Sequence, residues 1–181
     1  GPFGYYDSES DLVIACECIY NNDDGDDIYK YDTETDTWTY VGDRDSGSLN
    51  QYGGVVYDSE SDLGVFIEQG SSTCGGGNDC DDIWSYDYNS NTWTKKMDMS
   101  SSVHNRNAAR FYDSQSDIII IVEGSGSYGS DVWAYDVDAN TMTQKSDSPS
   151  TLEASKAPTY YDSESDRAII LDNGLDVYAY D

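Results

Sequence analysis

The chain is poor in positive charge. Nine Lys and Arg stand against 36 Asp and Glu in 181 residues, a formal net charge of −27. A phosphate backbone binds where basic side chains release its counterions, so nucleic acid is excluded as a partner, and anionic membrane surfaces are disfavoured for the same reason. Histidine is scarcer still, with His104 alone, and the spacing of the four cysteines is not that of a zinc finger, so no zinc site is expected. No run of 18 apolar residues occurs, and none of membrane-spanning helical length is expected. Only three prolines are present and no long helical period is visible. There is no G-x-S-x-G, no P-loop and no dinucleotide-binding glycine pattern. Carboxylates are so abundant that any pair chosen for glycoside hydrolysis would be arbitrary. No enzymatic activity is expected, and no catalytic residue is assigned.

What the chain has instead is tyrosine, 17 of them, and a repeat. Tyr buries a large ring while its hydroxyl stays polar, which offsets an apolar content of 37%. The sequence Asp-[Ile/Val]-[Tyr/Trp]-x-Tyr-Asp occurs at 27–32, 82–87, 131–136 and 176–181. Seven residues after its Tyr stand Trp38, Trp93 and Met142. A second motif, Tyr-Asp-Ser-[Glu/Gln]-Ser-Asp, begins at Tyr6, Tyr57, Tyr112 and Tyr161. Short, partly β-branched apolar runs follow it, at Leu12 to Ile19, Leu63 to Ile67, Ile118 to Val122 and Ala168 to Leu171. Their length and composition predict strands buried on both faces. Each unit of about 50 residues therefore predicts four short antiparallel strands: one ending at Tyr-Asp, one from the apolar run, one from the Asp-Ile-Trp type of motif, and one beyond a polar turn. That is the blade of a β-propeller, and the expected fold is all-β with about four such blades in a single domain over 1–181. The blades are placed at about 1–46, 47–104, 105–150 and 151–181, the last lacking its outer strand.

The unit resembles a kelch repeat. Tyr31/Trp38, Tyr86/Trp93 and Tyr135/Met142 match the aromatic pair of that family, and Asp36-Thr37-Trp38 and Asn91-Thr92-Trp93 match its last strand. The resemblance covers nearly the whole chain and implies a propeller that binds a protein or builds a scaffold; enzymes of this kind that use a copper radical need more histidines than this chain has. One departure recurs in all four units. Eleven residues after each opening Tyr, where the family carries the first glycine of a pair, stand Glu17, Glu68, Glu123 and Asp172. These four are the candidate metal ligands, for Ca²⁺, with no cofactor required; the competing reading is that each is satisfied by backbone amides, hydroxyls or aromatic N–H groups. The acidic turns, spaced Asp-x-[Glu/Gln]-x-Asp, lack the glycine and the distal Glu of an EF-hand and read as solvated hairpin turns.

Three further expectations concern partners. Cys74 and Cys80 bracket a glycine-rich loop and form the disulfide candidate, which implies an oxidising, extracellular or cell-surface setting; Cys16 and Cys18 read as small buried side chains. The strand Asp176, Val177, Tyr178, Ala179, Tyr180 and Asp181 is an edge that a neighbour could extend, either another protein or a copy of the chain in a homo-oligomer or filament. The long loops between second and third strands form the variable face, and an acidic glycan- or Ca²⁺-binding module is the remaining alternative. The repeated Trp84 and Trp133, alternating with Tyr86 and Tyr135, read as packing residues.

Overall fold

A computed structural model describes residues 3–17, 27–44, 53–68, 82–99, 103, 108–123, 129–155 and 157–180. The described chain is all-β and propeller-like in its blades. The first sheet contains β1 (Phe3–Asp7), β2 (Leu12–Cys16), β3 (Asp27–Asp32) and β4 (Thr37–Asp43). The second contains β5 (Gly54–Asp58), β6 (Leu63–Ile67), β7 (Asp82–Asp87) and β8 (Thr92–Asp98). The third contains β9 (Ala109–Asp113), β10 (Ile118–Val122), β11 (Val132–Asp136) and β12 (Thr141–Gln144). The fourth contains β13 (Thr159–Asp162), β14 (Arg167–Leu171) and β15 (Val177–Tyr180). Each sheet is an antiparallel meander in chain order, the blade topology the repeat predicts. Among the described residues β15 pairs with β14 alone.

One expectation extends beyond the described residues and another needs correction. Among the described residues the strand from Leu12 ends at Cys16, with the Glu17 amide donating to the Asp27 carbonyl at 2.8 Å; Ile19 lies outside the described residues. Burial on both faces holds for most of β6 and β10, whereas β2 and β14 alternate, because one face of their blades meets solvent.

The turns explain much of the acid. Seven hairpins share one construction. The Asp that follows the strand's Tyr caps the turn: Asp58 Oδ1 accepts from the amides of Glu60 and Ser61 at 3.0 and 3.2 Å, and Asp7, Asp32 and Asp113 do the same. The last turn residue is Asp11, Asp36, Asp62, Asn91, Asp117, Asn140 or Asp166, each with φ between 50° and 56°. This left-handed position is strained for most side chains and accessible to Asp and Asn, whose short polar side chains bond locally. In every case that side chain accepts from the hydroxyl of the Tyr five residues earlier, as Tyr86 to Asn91 at 2.9 Å and Tyr135 to Asn140 at 2.8 Å. These acids are thus more than solvated: one end holds the backbone and the other end ties down a tyrosine. The amides hold the carboxyls in turn. The Thr35 and Glu34 amides draw Asp32 below the usual carboxylate range, and the Ser165 hydroxyl, with the Glu164 amide, does so for Asp162. Asp58 is fully buried. Replacing it by Ala strands two turn amides and is expected to cost about 1–3 kcal/mol, whereas Asn, which keeps the acceptor oxygen, should cost far less; chemical denaturation of the two variants separates the cases.

The chain divides into two compact units, Gly1–Asp98 and Met99–Asp181, each with two blades. Within the first unit one core joins the blades: Tyr5, Leu12, Ile14, Cys16 and Ile28 of the first pack on Phe66 and Tyr86 of the second. The Tyr5 ring stacks on Tyr57 at 5.5 Å and lies over Gly64. A Cβ on Gly64 would come within 2.4 Å of that ring, so Gly64→Ala should force the blades apart and destabilise by about 1–3 kcal/mol, read as a lower Tm. The second unit repeats the arrangement. Phe111 stacks on Tyr161 at 6.1 Å, and Ile120, Val132 and Ala134 of the third blade pack with Ala168 and Ile170 of the fourth. Tyr57 and Tyr161 each bridge blades, one hydroxyl lying within bonding distance of its own turn Asp and of Asp7 or Asp113 in the preceding blade.

Candidate functional site

Strand register sorts each blade into two faces. In the second blade, Val55 pairs with Phe66, Phe66 with Trp84, Trp84 with Lys95, Tyr57 with Gly64, Gly64 with Tyr86 and Tyr86 with Trp93. This aromatic face is the one the first blade covers. Arg44, just beyond β4, reaches across to it. Its guanidinium lies 4.0 Å from the centre of the Trp84 ring and 5.4 Å from that of Trp93, and Nη1 donates to Glu68 Oε1 at 2.6 Å. Arg44 and Glu68 are only 6% and 3% exposed. On the same face Lys95 Nζ lies 2.9 Å from Asp82 and 2.7 Å from Asp98. Burial pushes Asp82 up despite Lys95, while Lys95 holds the exposed Asp98 down, and both acids keep the ammonium protonated. Three acids and two cations are therefore arranged about two tryptophans.

The first blade repeats this face with different occupants. Tyr6 pairs with Val13, Val13 with Tyr31 and Tyr31 with Trp38; Gly4 pairs with Ala15, Ala15 with Tyr29 and Tyr29 with Tyr40. Tyr29 thus corresponds to Trp84, Trp38 to Trp93 and Tyr40 to Lys95. Tyr31 and Trp38 have ring centres 5.0 Å apart, Tyr29 and Tyr40 5.6 Å. Here the face is open: Trp38 is 59% exposed, Tyr40 and Tyr6 51%. The acids recur too. The Glu17 amide bonds to Asp27 as the Glu68 amide bonds to Asp82, and Asp43 pairs with Asp27 as Asp98 does with Asp82. Tyr29 donates to Asp27 at 3.2 Å and Tyr40 to Asp43. The bond to Asp27, more than burial or the charge of Glu17, raises the Tyr29 hydroxyl above its ordinary value. Among the described residues no Lys or Arg forms an ion pair with Glu17, Asp27 or Asp43.

The four acids that recur as a departure in every unit occupy equivalent places at the ends of the second strands, but their surroundings differ. Glu17 is exposed, Glu68 binds Arg44, Glu123 Oε1 accepts from Trp133 Nε1 at 2.9 Å, and Asp172 Oδ1 accepts from the Asp176 amide at 2.9 Å. Among the described residues no three His, Cys, Asp or Glu are grouped so as to hold a metal ion. Cys74 and Cys80 lie outside the described residues. Cys16, read as a small buried thiol, is buried but disulfide-bonded. Trp84 and Trp133 are half-buried, and Tyr86 and Tyr135 fully buried, as packing residues should be. The motif alone does not mark Trp38 as a surface residue. A signal for it is nonetheless present in the sequence: the first unit has Tyr40 where the second has Lys95.

No protein-family model and no curated protein sequence matches the chain. Among solved structures it is similar to a chain in the crystal structure of a nidogen/laminin complex, at a TM-score of 0.61 and 12% identity over 93% of this chain. The chain spans 55%, about half, of that structure's chain. At this identity the likeness bears on fold alone, and the fold is a β-propeller.

Proposed function

We propose that the chain is a non-enzymatic, kelch-like binding module that takes a protein partner on the open aromatic face of its first blade. One observation carries the reading: the ring pairs Tyr29/Tyr40 and Tyr31/Trp38 lie on one face of the first blade, with Trp38 and Tyr40 more than half exposed. Large, rigid aromatic rings presented together in water are the usual anchors of protein interfaces. The cross-strand Tyr31/Trp38 and Tyr86/Trp93 pairs support the kelch-like reading, and the similar solved structure, being that of a protein complex, is consistent with protein binding. The disulfide at Cys16 supports an extracellular or cell-surface setting.

Selection from a random peptide display library tests the reading. Wild-type protein should enrich a family of sequences that the double variant Trp38→Ala/Tyr40→Ala does not retain, with circular dichroism showing that the variant keeps its fold. Enrichment of nothing, or equal retention by the variant, would remove this face from consideration.

A further inference from the structure

Asp172 to Asp176 joins β14 to β15 as a tight, closed turn. The Leu175 amide donates to the Asp172 carbonyl at 3.1 Å, the Asp172 amide to the Asp176 carbonyl at 3.0 Å, and the Asp176 amide to Asp172 Oδ1 at 2.9 Å. At its tip stand Asn173 and Gly174, both exposed and the single Asn-Gly pair in the chain. Asn173 Nδ2 donates to the Ser155 carbonyl at 2.8 Å, whereas the Gly174 amide makes no hydrogen bond among the described residues. That nitrogen follows the Asn173 side chain directly, and with no Cβ on Gly174 nothing crowds its approach to the side-chain amide. The other three described asparagines lack this combination. The amide after Asn89 belongs to Ser90 and donates to Asp87 Oδ1 at 3.2 Å. Asn91 and Asn140 are followed by Thr92 and Thr141, β-branched residues that open β8 and β12, and their own Oδ1 atoms accept from Tyr86 and Tyr135.

We infer that Asn173 is a site of spontaneous covalent modification, converted through a cyclic imide to aspartate and isoaspartate. The Gly174 nitrogen attacks Asn173 Cγ. The N–Cγ bond forms, the Cγ–Nδ2 bond breaks, and Nδ2 leaves as ammonia with the proton of the Gly174 amide. Water then opens the imide at either carbonyl. Opening at Cγ leaves an aspartate; opening at the main-chain carbonyl leaves an isoaspartate, whose backbone runs through the former side chain and is one carbon longer. Either product loses the donor to Ser155 and adds a carboxylate to a turn that already holds Asp172 and Asp176. The isoaspartate also changes the spacing on which the Leu175 to Asp172 bond depends. The modification therefore loosens the turn from the segment carrying Leu152 and Ala154, which share a core with Ile170.

Ageing of the folded protein in mildly alkaline buffer, which promotes loss of the amide proton, tests the inference. Peptide mapping reads the mass gain of an amide-to-acid change, and enzymatic methylation reads isoaspartate. Position 173 should convert ahead of Asn89, Asn91 and Asn140. Gly174→Ala should slow it about tenfold or more, because a methyl group then crowds the attacking nitrogen. The variant should fold, as circular dichroism will show: Gly174 does not use a positive φ, and its Cβ would stand 3.3 Å from Asp172 Oδ1, a contact that a small shift relieves. Aged wild type should melt below fresh protein, and Asn173→Asp should reproduce the part of the loss that needs no isoaspartate. Earlier conversion at any of the other three, or an equal rate in Gly174→Ala, would overturn the assignment of the site. A sample converted at position 173 that melts as fresh protein does would overturn the loosening of the turn.

Discussion

Arg44→Ala should unfold the first pair of blades well below the temperature at which the wild type melts. The substitution leaves Glu68, 3% exposed, without the guanidinium that bonds it at 2.6 Å, and it uncovers the Trp84 ring. Breaking a buried ion pair from one side costs about 3–5 kcal/mol, most of it the desolvation of the remaining charge. In a unit of this size that is a fall in Tm on the order of 15 °C or more, and it is a large part of the stability of an ordinary domain. The pair itself is a different quantity. Arg44→Met with Glu68→Leu removes both charges and fills the space with apolar atoms, so the double variant should melt much closer to the wild type than either single one. Arg44→Lys should fall between, because an ammonium keeps the charge and loses the planar stacking on Trp84. Thermal melts followed by tryptophan fluorescence suit the measurement, since Trp84 and Trp93 flank the site. A melting point for Arg44→Ala within about 2 °C of wild type would show that Glu68 is satisfied without Arg44.

How far this network is legible in the sequence follows from the range of the forces involved. The blades are readable because a hairpin is a local object: the Tyr, the capping Asp and the left-handed Asp or Asn lie within six residues, and their repetition announces the turn. The position of Glu68 is readable for the same reason, as a departure repeated in every unit. Its partner is not. Arg44 and Glu68 are 24 residues apart in different blades, and their meeting depends on how one sheet lies on the next. The same limit hides the difference between Trp38 and Trp93. Both occupy one place in the motif, yet Trp93 packs against Phe66 with ring centres 4.8 Å apart and Trp38 is 59% exposed, because only one of the two blade faces is covered within the unit. The disulfide at Cys16 escapes a sequence reading because alternation along a strand says which face a thiol takes and nothing about what it meets there.

Alkali should unfold this protein cooperatively, through its tyrosines. Burial, more than the neighbouring carboxylates, pushes the Tyr86 and Tyr135 hydroxyls up to about 12, against an unfolded value near 10. A folded value above the unfolded one means that the protonated phenol is favoured in the fold. The stabilisation is complete below about pH 10 and is lost as pH rises through the folded values. Each of the two tyrosines, one in each unit of the chain, has its ring buried and its hydroxyl part-buried in the turn, so solvent screening leaves a contribution of about 1–2 kcal/mol from each. Tyr5, Tyr57 and Tyr161 are displaced in the same direction, again with burial as the first cause; in Tyr57 and Tyr161 it acts with carboxylates from two blades around a single proton. Loss of that proton would set a phenolate against Asp7 and Asp62, or against Asp113 and Asp166, at the seam between blades. Absorbance at about 295 nm, where the phenolate absorbs, should therefore show the Tyr86 and Tyr135 phenolates appearing together with the loss of the far-ultraviolet dichroism, between about pH 10 and 12. Tyr86→Phe removes one ionising group but also its bond to Asn91, so it should be less stable than wild type at neutral pH and lose less on going to about pH 11. Smooth independent titration of all tyrosines near 10, with no unfolding step, would mean that the hydroxyls are not held in the turns as described.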